Sequence, residues 1–363
     1  MNNATVLEIN ADAIKHNVTH FKSKLHPNTK ILAVVKAFAY GSDACILSKI
    51  LQDENVDYLA VAYTDEGVSL RNAGIDLPIL VLHPQIINFN ALIAHNLEPN
   101  IYSKNILNAF LKISKSKNLT DYPIHIKFNT GLNRLGFNVQ NLREIFTLIT
   151  KENSIHITSV FSHLAASEDL NENLFTKNQI ASFRNIKIQI EEILNYKPIF
   201  HLLNTSGILN YPQAQFDMVR LGIGLFGFDN AFSKNLKNVL TLKSIISQIH
   251  TLKKGDSVGY NRAFVCSKNS KIATIPIGHA DGISRKLGNG IGSVLINKQK
   301  VPIIGNVCMD MLMVDISNID CNEGDMVILF DSQKRIEEIS QKINTIPYEL
   351  LTMISQRVKR IKV

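Results

Sequence analysis

The sequence predicts an α/β chain: an N-terminal (β/α)8 barrel over residues 11–228, then a mostly antiparallel β domain over 229–363 that also takes the opening strand, residues 1–10. Three observations carry this. The chain has 363 residues and 45% apolar content, enough for two cores rather than one. Short apolar runs alternate with helix-like segments through the first two-thirds. After about Asp229 the texture changes to strand-like stretches punctuated by Gly, Asn and Asp.

The candidate barrel strands, in order, are Ile31–Val35, Tyr58–Ala62, Ile79–Leu82, Leu97–Ile101, Ile124–Phe128, Ile157–Phe161, Ile199–Leu203 and Phe216–Val219. Each is short, apolar or β-branched, as a strand buried on both faces requires. Helix-like segments fill the gaps: Ala11–Leu25, Asp43–Leu51, Asp65–Asn72, Asn105–Ser114, Asn141–Thr150 and Asn173–Leu194. Asn204–Gln215 is too short for a long helix, so the count is weakest there and a doubly wound open sheet stays an alternative. In the second half, Lys271–Pro276, Gly292–Ile296, Lys300–Ile304, Met311–Ile316 and Asp325–Phe330 read as strands. Thr5–Asn10 is also strand-like and is expected to pair with that later domain.

The net charge is +8, yet the basic residues are dispersed and broken by acids, which excludes the concentrated patch of a nucleic-acid binder. The four cysteines, Cys45, Cys266, Cys308 and Cys321, show neither paired spacing nor a nearby histidine pair, so no disulfide frame or zinc site is expected. No stretch approaches the roughly 18 apolar residues of a bilayer span, and the first residues lack the order of a signal peptide. A cytoplasmic protein without membrane partners is the expectation.

In a (β/α)8 barrel the chemistry gathers where strands end. The polar residues just beyond the apolar runs are Lys36, Lys127 with Arg134, His163, Asn204 with Thr205, and Arg220. A lysine at the rim of an apolar strand loses part of its hydration, and its lowered pKa makes it a nucleophile toward an aldehyde. Alone, Lys36 would read equally as the surface end of a strand, and His163 as a hydrogen-bonded core histidine.

Motifs decide between these readings. The stretch from Ala33 to Gly41, AVVKAFAYG, resembles the pyridoxal phosphate attachment motif of alanine racemases, whose usual form has Asn where this chain has Phe38. Lys127–Phe137, Phe161–His163, Asp217–Gly227, Val258–Arg262, Pro276–Gly282 and Gly305–Asp310 resemble further signatures of the same family, in family order. The resemblance implies the same barrel-plus-β-domain fold and a head-to-tail homodimer whose active sites are shared between subunits. It implies pyridoxal 5'-phosphate on Lys36, and Lys36 and Tyr260 as opposed acid/base groups interconverting L- and D-alanine, with D-alanine supplied to peptidoglycan.

By the same resemblance, His163 and Arg220 would stabilise the Tyr260 phenolate. Arg220 would also face the pyridine nitrogen, to which an arginine cannot give up its proton. Arg134 and the Met309 backbone would take the substrate carboxylate. Tyr40, Thr205, Gly222 and Ile223 would cradle the phosphate, with Asn204 ordering that loop. Lys127 matches a position often carbamylated, where it would hold Arg134. Cys308 and Asp310 would flank the carboxylate site.

Departures from the family pattern are Phe38, Ser42-Asp43, Thr205, His279 and Lys359. Gln356 stands where some members have a tyrosine beside the substrate; it reads either as neutral variation or as room for the hydroxymethyl group of serine. The rival readings are a racemase of different breadth, a decarboxylase of the same barrel class, and a non-catalytic cofactor-binding protein.

Overall fold

The computed structural model describes residues 4–229 and 235–363. The chain divides into two compact units. One holds Lys15–Ala37 and Ala44–Leu236, the other Met1–Ile14, Phe38–Asp43 and Lys237–Val363.

After β1 (Val6–Ile9), the first unit contains β2 (Lys30–Val34), β3 (Tyr58–Val61), β4 (Ile79–Val81), β5 (Glu98–Ile101), β6 (Tyr122–Lys127), β7 (Ile155–Phe161), β8 (Ile199–His201) and β9 (Met218–Leu221). These eight strands close into a barrel, so the open-sheet alternative is excluded. Closure is made by the parallel pairing of β2 with β9, from Lys30 opposite Met218 to Ala33 opposite Leu221. The β2–β4 runs are almost wholly buried, as expected where neighbouring strands and surrounding helices both remove water.

In helix Leu142–Ile149 the buried residues are Leu142, Ile145, Phe146 and Ile149, the spacing of one helical face. Helix Lys104–Ser116 starts at Ser103, whose hydroxyl accepts from the Ile106 N–H. The weak stretch between the seventh and eighth strands holds a six-residue helix, Thr205–Asn210, and a 3-10 turn, Pro212–Ala214. The eighth strand begins at Met218 rather than Phe216, whose φ of 52° is left-handed and cannot continue a strand.

A feature absent from the sequence reading is the helical turn Lys36–Gly41. It is left-handed: φ is 53° at Ala37 and Phe38, 50° at Ala39, 55° at Tyr40 and 80° at Gly41. Each L-residue in that region costs about 1–2 kcal/mol, so surrounding contacts must hold it. Glu66 accepts from the Ala37 N–H at 2.6 Å. The Ser42 hydroxyl donates to the Ala39 carbonyl at 2.6 Å, and Arg360 donates to Gly41 O at 2.7 Å and Ser42 O at 3.1 Å.

The second unit adds β10 (Leu240–Ile245), β11 (Gln248–Leu252), β12 (Ser257–Val258), β13 (Phe264–Val265), β14 (Ser270–Ile275), β15 (Ser293–Ile296), β16 (Gln299–Ile304), β17 (Leu312–Asp315), β18 (Met326–Phe330) and β19 (Lys359–Lys362). Nine strands form one sheet in the order β11-β14-β17-β16-β15-β18-β10-β1-β19. β1 lies between β10, antiparallel to it, and β19, parallel to it. β10, β11, β12, β13 and β19 add to the strands expected from sequence. No helix among the described residues is long and apolar enough to cross a membrane.

Candidate active site

Strand ends in the barrel unit bring the expected cations together. Lys36 lies just beyond β2, Lys127 ends β6, Arg134 follows β6, His163 follows β7 and Arg220 sits within β9. Burial lowers the Lys36 ammonium below the usual lysine value, the Arg134 charge adds to this, and Glu66 opposes it. Lys127 is pulled down to about 7, first by burial and then by Arg220, Arg134 and Lys36. Half of the Lys127 amine is therefore uncharged near neutral pH, the form able to add carbon dioxide.

Arg220 is 4% exposed. It donates to His201 Nδ1 at 2.8 Å, Ser162 O at 2.7 Å, Leu202 O at 2.8 Å and His163 Nδ1 at 3.0 Å. Burial and Arg134 bring it down to about 9, which still leaves it charged at pH 7. His163 is held well below its ordinary value, by burial and then by Arg220, Lys127, Arg134 and Lys36, and so is neutral. Phe161 lines the same region: His201 stacks on its ring with centroids 4.7 Å apart, and Arg220 and Lys127 lie 5.5 and 5.7 Å from its centroid.

The loops after β8 and β9 form a second polar group. The Thr205 hydroxyl oxygen accepts from the Gly222 N–H at 3.2 Å and the Gly224 N–H at 3.3 Å. With both lone pairs engaged, its own hydrogen is directed to another acceptor. Gly222 therefore spends its N–H on Thr205; Ile223 opens the following short turn. A Cβ at Gly224 would stand 2.7 Å from Thr205 Cγ2 and from Phe21, so only glycine fits there. Asn204 orders the loop: its Oδ1 accepts from Gly207 N at 2.9 Å and from the Ser167 hydroxyl at 2.7 Å.

The remaining expected residues belong to the second unit. Tyr40 is buried with its ring 5.9 Å from Tyr348, and burial, with Tyr348, holds its phenol well above the ordinary value. Tyr260 is 71% exposed, in a short turn after Gly259, whose φ is 76°. It lines a concave patch with Cys308, Met309, Asp310, Met311 and Met313. Met309 is 58% exposed. Arg357 ties Asp310 at 2.8 Å to Asp281 at 3.2 Å, and the neighbouring Gln356 is exposed.

Comparison with known proteins agrees with this layout. The profile of the alanine racemase N-terminal domain matches residues 9–230, and that of the alanine racemase C-terminal domain matches residues 239–362. The chain belongs to the alanine racemase family. It is 35% identical to the alanine racemase of Methanococcus maripaludis, over 98% of this chain and 97% of that protein. The solved alanine racemase of Clostridium difficile 630 shares 34% identity and superposes with a TM-score of 0.94, over all of this chain and 96% of that one. That of Bartonella henselae, with covalently bound pyridoxal phosphate, is 30% identical with a TM-score of 0.89, over 99% of this chain and all of that one. The chain therefore has the family's barrel and β domain and is an isomerase.

Residue-by-residue reading missed Glu66, Glu98, His125, Ser159 and His201. His125 and Lys127 alternate in IHIK with two isoleucines, a signal that both point the same way in a strand, but the partners of His125 become visible only once the barrel is closed.

Proposed function

We propose that this chain interconverts L-alanine and D-alanine using pyridoxal 5'-phosphate held on Lys36. The observation that carries this is the suppressed charge of Lys36 among other cations: a depressed amine at a strand end beside Arg134 is suited both to holding an aldehyde and to taking a proton. The residues fit the cofactor. Thr205 has a hydroxyl hydrogen to offer an anionic phosphate, Arg220 supplies donors without a carboxylate beside it, and the cationic surroundings suit a polyanion. When bound, the cofactor supplies an electron sink that acidifies the α-hydrogen of an attached amino acid.

Within that frame each side chain has a defined task. Lys36 holds or releases a proton at one face of the α-carbon. Tyr260 from a second copy of this chain does so at the other, and its exposure in the isolated chain supports that reading. Neutral His163, with Nδ1 occupied by Arg220, offers Nε2–H to a phenolate oxygen. Arg220 keeps its proton and leaves the ring nitrogen unprotonated, which makes a weak sink and limits side reactions. Arg134 presents a planar fork to a substrate carboxylate, completed by the Met309 backbone. Tyr40 and Ile223 remain assigned to the phosphate, Gly222 to fixing the Thr205 hydroxyl through its N–H, Asn204 to ordering their loop, and Cys308, Asp310 and Gln356 to the substrate's surroundings. Lys127, once carbamylated, would hold Arg134 as an anion. A homodimer in the cytoplasm supplying D-alanine to peptidoglycan is the setting this reading implies.

The test is incubation of the purified protein with L-alanine, and separately L-serine, in deuterated buffer, following D-isomer and α-deuterium. Alanine should exchange and racemise, and Lys36→Ala and Tyr260→Phe should each lower kcat by at least about a hundredfold, the scale of general acid–base contributions. Cofactor binding with no α-exchange for any amino acid would overturn the proposal in favour of a decarboxylase or a binding protein.

A further inference from the structure

Behind the cationic mouth, strands β5 to β9 contribute one side chain each to a continuous buried line of hydrogen bonds. Glu98 Oε2 lies 2.6 Å from His125 Nε2, His125 Nδ1 lies 2.6 Å from Ser159 Oγ, and Ser159 Oγ lies 3.0 Å from His201 Nε2. His201 Nδ1 then meets Arg220 Nη1 at 2.8 Å. His125, Ser159 and His201 are wholly buried.

One placement of the protons in this line leaves no donor or acceptor along it unused. A guanidinium donates and never accepts, so His201 Nδ1 is bare and its proton sits on Nε2. Ser159 therefore accepts from His201, and its own hydrogen, which would otherwise go unused, is donated to His125 Nδ1. That nitrogen is bare in turn, so His125 carries its proton on Nε2 and donates it to Glu98. Every bond points from Arg220 toward the carboxylate. The acceptors around Arg220 are all neutral groups, and the nearest negative charge along its bonds is Glu98, four links away. The Glu98 charge is felt on its other side as well: after burial, it is the next cause of the raised phenols of Tyr58 and Tyr122, and it favours the charged form of Arg71.

We propose that Ser159 is a positioning residue for the reaction: its hydroxyl completes a one-way line of hydrogen bonds that lets the Glu98 carboxylate hold His201 in the Nε2–H form and so fix the Arg220 guanidinium in place. Its kinetic consequence rests on the reading of Arg220 as the group facing the cofactor ring; the tautomers do not. Were His201 to carry its proton on Nδ1, two N–H groups would oppose each other at 2.8 Å, and Arg220, buried from bulk solvent, would lose an acceptor. Chains of this kind polarise along their length, so the carboxylate stabilises the buried guanidinium without touching it.

The test uses full-length protein with cofactor bound and its histidine ring nitrogens labelled with 15N. His201, His125 and His163 should all give the signals of the neutral Nε2–H form. Glu98→Gln should shift the His201 ring signals in the parent protein and leave them unmoved in the Ser159→Ala background. In turnover, Ser159→Ala and Glu98→Gln should each lower kcat about fivefold with KM unchanged, the worth of one net hydrogen bond. The double variant should be no slower than the slower single, since both cut one line. Ser159→Thr, which keeps the hydroxyl, should recover the kcat. A His201 proton on Nδ1, losses that multiply, or a Glu98→Gln shift that persists without the serine hydroxyl would overturn the proposal. Should Ser159→Ala fail to fold, the Glu98→Gln signals decide alone. Should alanine fail to exchange in the parent, the functional reading falls while the nitrogen signals still judge the relay.

Discussion

Lys127 shows how a barrel site sets charge by placement alone. It is 6% exposed, in the field of Arg220, Arg134 and Lys36, and its amine titrates near 7 in place of 10.5. Between those two values the unfolded chain keeps the proton and the folded chain does not, so stability rises with pH across that window. Below about 7 both states bind it, and the folded state bears the full penalty of a buried cation. Replacing the group with an uncharged side chain removes that pH dependence: Lys127→Met in cofactor-free, carbonate-free protein should raise Tm over the parent at pH 6 and raise it less at pH 9. Equal shifts at the two pH values would show that the folded chain holds the Lys127 proton as firmly as the unfolded chain does, so that its pKa is not lowered. Added bicarbonate should raise the parent's Tm and leave Lys127→Met unmoved, because only the neutral amine can be carbamylated.

The left-handed turn Lys36–Gly41 is the element in which local propensity and fold are most at odds. Four of its residues with positive φ have side chains, and one is Phe38, which is 59% exposed. The family motif has Asn here, and the backbone explains why: Asn tolerates the left-handed region where a bulky residue does not. Phe38→Asn should therefore raise stability by about 0.5–1 kcal/mol, read as a higher denaturation midpoint at unchanged m-value. A decrease would mean that the phenyl ring makes compensating contacts. The strain is balanced at both ends of the turn, by Glu66 on the Ala37 N–H and by Arg360 on the Gly41 carbonyl, neither of which is near it in sequence. This is why no local reading of AFAYG yields a left-handed helix. The strands were legible for the opposite reason: ILAVV or IHIKF states its burial within five residues, and a cation at its end states which end is functional. Glu98, Ser159 and His201 state nothing alone, because their meaning arises from five strands lying side by side.

At the scale of the whole molecule, the residues expected to act together fall into two sets: Lys36, Arg134, His163 and Arg220 in the barrel unit, and Tyr260, Met309 and Gln356 in the other. The profiles of both racemase domains account for nearly the whole chain, so the two sets belong to one enzyme. The exposure of Tyr260 and Met309 is what a head-to-tail homodimer requires of a surface that completes a neighbour's site. Mixing separates the arrangements. Lys36→Ala and Tyr260→Phe are each inactive on this reading, but when unfolded together in equal amounts and refolded with cofactor, half of the dimers pair one of each. Such a pair has one site with both defects and one with neither, so about a quarter of parental activity should return. If each chain instead builds its site from its own Lys36 and Tyr260, every site in the mixture keeps a defect, and activity stays at the level of the separate variants at any mixing ratio.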